Sequence, residues 1–205
     1  MYSIFILIIA IFSYFFADRT VAENLIIPQN FRFICKYLSN ITDPFYLLTL
    51  SIFVFLICLT IKHFNYLRIN AFLMLVTISM TMFSTGNLKI LTRRPRPLLY
   101  LKEGAYGFFM GNIESSFLSF PSSHASVDAA VATLLIYWFP YYKKWVYLMV
   151  TPLIIIRVLL QKHFVSDLII GSLLGYLVAK LVIKYGIENK KAPKFFGGFL
   201  KIKPK

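Results

Sequence analysis

Apolar residues run almost unbroken through six stretches of the chain, at about 2–17, 44–61, 67–88, 126–139, 145–160 and 164–183. About 20 apolar residues are needed for a helix to cross the hydrocarbon of a bilayer. Backbone left unpaired is not tolerated there, so such runs must be helical. The fourth run is short and stops at Pro140, and its first turn is predicted to start earlier, near Ser122 or Ser123, with polar residues. The pattern predicts an all-α polytopic membrane protein with six transmembrane helices over residues 1–186, followed by a basic tail over 187–205.

Composition agrees with a membrane chain. Of the 205 residues 59% are hydrophobic and only 15% are charged, against roughly 25% charged in a soluble domain. A net charge of +14 suits nucleic acid, anionic lipid or the excess of Lys and Arg in cytoplasmic loops. Nucleic acid is set aside, because the apolar runs leave no soluble domain between them. The opening MYSIFILIIAIFSYFF has neither a basic start nor a small-residue cleavage site, and is expected to stay as a first helix. Cys35 and Cys58 have no metal-ligand spacing and are expected to stay unpaired.

Six spans place both termini on one side, together with the loops at 62–68 and 140–144. Lys62, Arg68, Lys143, Lys144, Lys184 and the tail lysines fall there. With Lys89, Arg93, Arg94, Arg96 and Arg157 set aside as a separate group on the other side, the charge bias puts both termini in the cytoplasm. The tail has two readings, a contact with anionic lipid through its lysines and phenylalanines or a structureless segment.

Three polar pieces then reach the same outer face: KILTRRPRP at 89–97, PSSH at 121–124, and IRVLLQKHFVSD at 156–167. Lys89, Arg96 and Arg157 offer cationic donors, and guanidinium matches phosphate oxygens in two-pronged fashion. Ser122, Ser123 and the first N–H groups of the fourth helix form an anion seat. His163 and Asp167 are four apart, so the carboxylate can orient the imidazole. Two histidines in a cationic cradle suit phosphoryl transfer, one attacking phosphorus and one protonating the leaving oxygen. Taken singly, each group has a plainer role: Arg93–Arg96 as a headgroup anchor, His124 as part of a helix cap, His163 with Asp167 as a structural pair. Asp128, one turn after His124, either orients it, pairs with an arginine, or sits partly solvated near the interface. His63 falls on the opposite side and is left out of the site. The surrounding cations favour an anion over a metal.

These residues resemble the type 2 phosphatidic acid phosphatase superfamily. Its first motif is Lys, six residues, Arg-Pro, matched by Lys89 and Arg96-Pro97. Its second is Pro-Ser-Gly-His, matched by Pro121 to His124 with Ser123 in the glycine place. Its third is Ser-Arg, five residues, His, three residues, Asp, matched by Arg157, His163 and Asp167 with Ile156 in the serine place. The resemblance implies that Lys89, Arg96, Ser122, the Ser123 N–H and Arg157 bind phosphate. It implies His124 as general acid, His163 as the nucleophile that forms a phosphohistidine, and Asp167 as its orienting partner, with no metal or other cofactor.

The expectation is a lipid phosphatase of the bacterial inner membrane with its site facing the periplasm. Its partners are the bilayer and a phosphorylated lipid, with no nucleic acid and no obligate protein partner. Arg93 and Arg94 are candidates to hold a second phosphate, which favours lipid A phosphate or undecaprenyl pyrophosphate as substrate. The alternatives are a phosphatidic acid or phosphatidylglycerophosphate phosphatase, a lipid phosphotransferase, and a non-enzymatic transporter or structural protein. The haloperoxidase branch is disfavoured for want of a soluble domain.

Overall fold

In the computed structural model, which describes residues 2–108 and 113–188, the first helix does not stop where its hydrophobicity does. Helix α1 (Tyr2–Phe12) passes through a π-helical turn (Ser13–Ala17) into α2 (Asp18–Asn24). The continuation carries Asp18 into the bundle, where it is 1% exposed. The stretch after it, read from sequence only as a connection, folds into α3 (Gln29–Ile41), an amphipathic helix outside the six apolar runs.

Asp43 then caps α4 (Pro44–Thr60), its carboxylate accepting the Phe45 N–H at 2.9 Å, with Pro44 in the first helical position where a missing N–H costs nothing. Helix α5 (Arg68–Thr92) is the longest, and ends where Arg93 takes a left-handed conformation at φ 43°. A short α6 (Pro97–Glu103) follows, then α7 (Ser123–Trp138), α8 (Lys143–Leu159) and α9 (Val165–Ile183). Among the described residues every regular element is helical, as the sequence predicts. Cys35 and Cys58 are both buried and free. Of the tail over 187–205, the residues from 189 onward lie outside the described residues.

The expected six membrane-spanning helices are corrected to four. Four helical stretches of the described residues are long and apolar enough to cross: Ser3–Asn24, Gln29–Thr60, Arg68–Glu103 and Val165–Gly186. The runs at 126–139 and 145–160 become α7 and α8, of 16 and 17 residues, short of the roughly 20 that a span needs. Their boundaries explain this. Ser122 caps α7 and Phe139-Pro140 ends it, while α8 opens on Lys143-Lys144 and closes on Arg157. Helix α7 is apolar because protein surrounds it: Ala125, Val127, Ala130 and Leu134 are all wholly buried, with Ser126 and Asp128 beside them.

The pairing that positions the site is α7 on α9. A Cβ on Gly175 would stand 1.9 Å from the Ser126 carbonyl oxygen, and one on Gly171 would stand 2.7 Å from that of Ser122. Only glycine lets the two backbones approach so closely, as in other small-residue helix crossings inside membranes. The crossing lays the start of α7 directly against the start of α9.

Candidate active site

The first polar piece is zipped onto the loop before α7. Lys89, in the last turn of α5, donates from Nζ to the carbonyls of Leu118 at 2.6 Å and Ser119 at 3.4 Å. Thr92 Oγ1 donates to the Phe120 carbonyl at 3.0 Å. Beyond the helix end, Ser119 N–H donates to the Arg94 carbonyl at 3.0 Å and Arg96 N–H to the Ser116 carbonyl at 2.8 Å. Pro95 and Pro97 cannot donate, so these bonds and the left-handed turn at Arg93 fix the segment.

The second piece enters through a cis Phe120–Pro121 peptide. Ser122 is the N-cap of α7, its Oγ accepting the Ala125 N–H at 3.4 Å, and its own N–H donates to the Asp167 carbonyl at 3.2 Å. Ser123 is the first helical residue and has no positive φ. The backbone in the motif's glycine place is therefore one that serine adopts without strain.

His163 lies in the turn before α9, ahead of its N-cap Phe164, rather than within the helix. Its Nδ1 is 2.8 Å from the Ser119 carbonyl oxygen. A carbonyl can only accept, so Nδ1 carries the proton and Nε2 keeps its lone pair. Asp167 Oδ2 is 3.8 Å from Nδ1, beyond hydrogen-bond distance. Asp167 thus stands beside the imidazole and is linked to it through Ser119, whose carbonyl accepts from Nδ1 and whose Oγ donates to Asp167 Oδ2 at 2.6 Å. Burial, the largest influence, holds the His163 pKa down at about 3, and the charges of Lys89 and Arg157 push the same way against Asp167.

Asp167 is wholly buried and held from three sides, by Ser119, by the Phe164 N–H at 2.9 Å, and by Arg94 Nη1 at 2.6 Å. Arg94 is itself wholly buried. Its Nη2 pairs with Asp18 at 2.7 Å, and its guanidinium is walled by the rings of Tyr14, Tyr106, Phe108 and Phe164. Asp18 also accepts the Ser166 N–H at 2.9 Å. The sequence shows no carboxylate near Arg94, whereas the fold brings it two. Its terminal nitrogens are engaged inside the protein, which corrects its reading as a contact for a second phosphate. Arg93 turns its Nε to the Ile90 carbonyl at 2.9 Å on the exposed side.

His124, on α7, faces Asp43, with Nε2 3.6 Å from Oδ2. Asp128 accepts from Thr42 Oγ1 at 3.4 Å, so Asp43 and not Asp128 is the carboxylate at His124. Arg157 donates to Ser39 Oγ on α3. The Nε atoms of Arg96 and Arg157 are buried without a partner among the described residues. The charges of Lys89 and Arg157 bear on both histidines, and that of Arg96 on His124. A cavity of about 540 Å³ opens beside His124 and Arg157, lined also by Arg32, Lys36, Asp43 and Lys162. Among the described residues no three His, Cys, Asp or Glu gather as a metal site.

Sequence reasoning missed Asp18, Asp43 and Ser119. Asp43-Pro44 is a readable helix start, an N-cap acid followed by proline. Asp18, an acid among aromatic membrane residues, is costly unless paired, which was signal enough to look for a partner. Nothing in the sequence marks Ser119.

A family model described as "PAP2 superfamily" matches residues 70–191, more than half of the chain. Among solved structures the chain is similar to the "crystal structure of the first transmembrane PAP2 type phosphatidylglycerolphosphate phosphatase from Bacillus subtilis". The TM-score is 0.66 at 24% identity, covering 92% of this chain and 95% of that one. No protein of curated function matches.

Proposed function

The chain belongs to the PAP2 superfamily, and from that membership we propose that it is a lipid phosphatase that removes the terminal phosphate of a glycerophospholipid, phosphatidylglycerophosphate first and phosphatidic acid second. His163 Nε2 attacks phosphorus, and the bond from phosphorus to the lipid oxygen breaks. His124 gives its proton to the departing alkoxide. Water, losing its proton to His124, then attacks the phosphohistidine and breaks the P–N bond, which releases inorganic phosphate. Lys89, Arg96, Arg157, the Ser122 hydroxyl and the Ser123 N–H take the non-bridging oxygens through both steps. Neither step uses a metal.

The observation that carries this reading is the bond from His163 Nδ1 to the Ser119 carbonyl. It commits the tautomer and leaves a neutral, unprotonated Nε2 among cations, the state a nucleophilic histidine needs. The substrate reading departs from lipid A and undecaprenyl pyrophosphate. That preference leaned on Arg93 and Arg94, and Arg94 is bound to Asp18 and Asp167. The likeness to a phosphatidylglycerolphosphate phosphatase supports the glycerophospholipid choice, and with the loop charges it supports a bacterial inner membrane, a periplasmic site and cytoplasmic termini.

The test is phosphate release by purified protein in detergent from phosphatidylglycerophosphate, phosphatidic acid, lipid A and undecaprenyl pyrophosphate, with and without EDTA. The expected result is turnover of the two glycerophospholipids unaffected by EDTA. Acid-labile phosphoprotein should form in the parent and not in His163→Ala. A tenfold or greater preference for lipid A or undecaprenyl pyrophosphate would overturn the substrate assignment, and full activity in His163→Ala would overturn the mechanism.

A further inference from the structure

The cavity beside His124 holds more positive charge than the chemistry uses. Arg32 and Lys36 reach it from α3, Arg157 and Lys162 from the end of α8 and the turn after it. Asp43 is the one carboxylate in its lining, and it faces His124. Among the described residues none of these four cations has a carboxylate within ion-pair distance; the ion pairs are those of Arg94, His124 and His163. Arg32 has only a long bond to the Leu160 carbonyl, at 3.5 Å. The Lys162 ammonium is disfavoured first by burial and then by Arg96, Arg157, Lys36 and Arg32 together. Like charges that outnumber the counter-charge in a cleft focus a field that attracts an anion.

The helix that supplies two of them is built for this position. Arg32 and Lys36 are one turn apart and share a face, and that face lines the cavity. Ile34 and Tyr37 are turned outward, 51% and 66% exposed. Arg157 belongs both to this cleft and to the reacting-phosphate cluster.

We propose that Arg32, Lys36 and Lys162 form a second anion subsite, which holds the phosphodiester of the substrate lipid while its terminal phosphomonoester lies at His163. This rests on the glycerophospholipid reading above and names the feature selected: a diester phosphate one glycerol away from the phosphate removed. Phosphatidic acid has no such group. The cleft thus makes the enzyme selective for phosphatidylglycerophosphate among phosphomonoester lipids.

The test uses the full chain in phosphatidylcholine bilayers, so that no other anionic lipid is present, with Lys36→Gln, Lys162→Gln and the double variant. The ratio of kcat/KM for phosphatidylglycerophosphate over phosphatidic acid should fall ten- to a hundredfold in the double variant, mostly through KM. An unchanged ratio overturns the subsite. A second arm measures binding of short-chain phosphatidylglycerol, which keeps the diester and lacks the monoester, against the matching diacylglycerol. Weaker phosphatidylglycerol binding in the double variant, with diacylglycerol binding unaltered, supports the subsite even in a protein that cleaves no lipid phosphate, in which case the reaction assignment falls alone. Equal phosphatidylglycerol affinity in parent and double variant overturns the subsite whatever the turnover.

Discussion

Replacing Asp18 with Asn tests whether the first helix helps to hold the proposed nucleophile, His163. The change is nearly isosteric, yet it removes the charge opposite Arg94 Nη2 at 2.7 Å and turns an amide N–H₂ toward a set of donors. Those donors include Arg94, the Ser166 N–H at 2.9 Å, the Ser166 hydroxyl and, at longer range, the Ser13 and Tyr106 hydroxyls. Both members of the pair have no exposed side-chain surface, so water cannot take Asp18's place. Removing one partner of a buried pair costs about 3–5 kcal/mol, and the lower end applies here because Arg94 keeps Asp167. For a chain of this length about 3 kcal/mol corresponds to a drop in Tm of roughly 6–12 °C. With one anchor gone, Arg94 holds Asp167 less firmly, and kcat should fall about tenfold with KM within threefold, the pattern of a lost transition-state contact. Arg94→Lys should behave likewise, since a point charge cannot bridge two carboxylates as a guanidinium fork does. Melting in detergent by intrinsic fluorescence, with phosphate release at saturating lipid, reads both effects. A Tm within about 2 °C of the parent together with unchanged kcat would refute the reasoning.

Further outcomes follow from the same geometry. Burial lowers the folded-state pKa of His163 to about 3, below the roughly 6.5 of a free imidazole. The unfolded chain therefore binds the proton first, and His163's contribution to stability is complete above about pH 6.5 and is lost as pH falls toward 3. Denaturation midpoints between pH 8 and 4 check this, and equal stability across that window counts against it. Gly175→Ala places a methyl 1.9 Å from the Ser126 carbonyl, so the α7–α9 crossing must open, at a cost of about 1–3 kcal/mol or more. The variant should lose activity and thermal stability together, and a fully active, equally stable Gly175→Ala would contradict the crossing. Ser119→Ala removes the hydroxyl bond to Asp167 but keeps the carbonyl that orients His163, so its kcat should fall less than in Asp167→Ala.

The candidate site groups were legible because the types and spacings of such residues are dictated by chemistry. A phosphate needs cations and N–H donors, and a nucleophilic imidazole needs its other nitrogen occupied. Lys89, Arg96, His124, Arg157 and His163 stand in ordered motifs for that reason. The number of spans was not legible, because hydrophobicity reports removal from water and not contact with lipid. Helix α7 reads as a membrane segment, yet Ala125, Val127, Ala130 and Leu134 are buried by other helices. The amphipathic α3 escaped notice for the opposite reason, its polar face interrupting any apolar run.

Arg94 shows most plainly what spacing cannot reveal. In sequence it is one of three arginines in TRRPRP, and nothing separates it from Arg93 or Arg96. The left-handed turn at Arg93 sends consecutive side chains in different directions. Arg93 goes to the exposed side and Arg94 inward to Asp18 and Asp167. Arg96 stays beside the cluster, with its Nε unpartnered among the described residues. One backbone conformation thus divides a uniform basic run between surface and scaffold on one hand and the proposed phosphate cluster on the other. The inward branch depends on an acid 76 residues earlier, which the motif pattern does not include. Asp18 is therefore the position where the three motifs stop being sufficient. A chain with all three motifs intact and a neutral residue there keeps every proposed phosphate contact, but leaves Arg94 with one carboxylate fewer and Asp167 less firmly held.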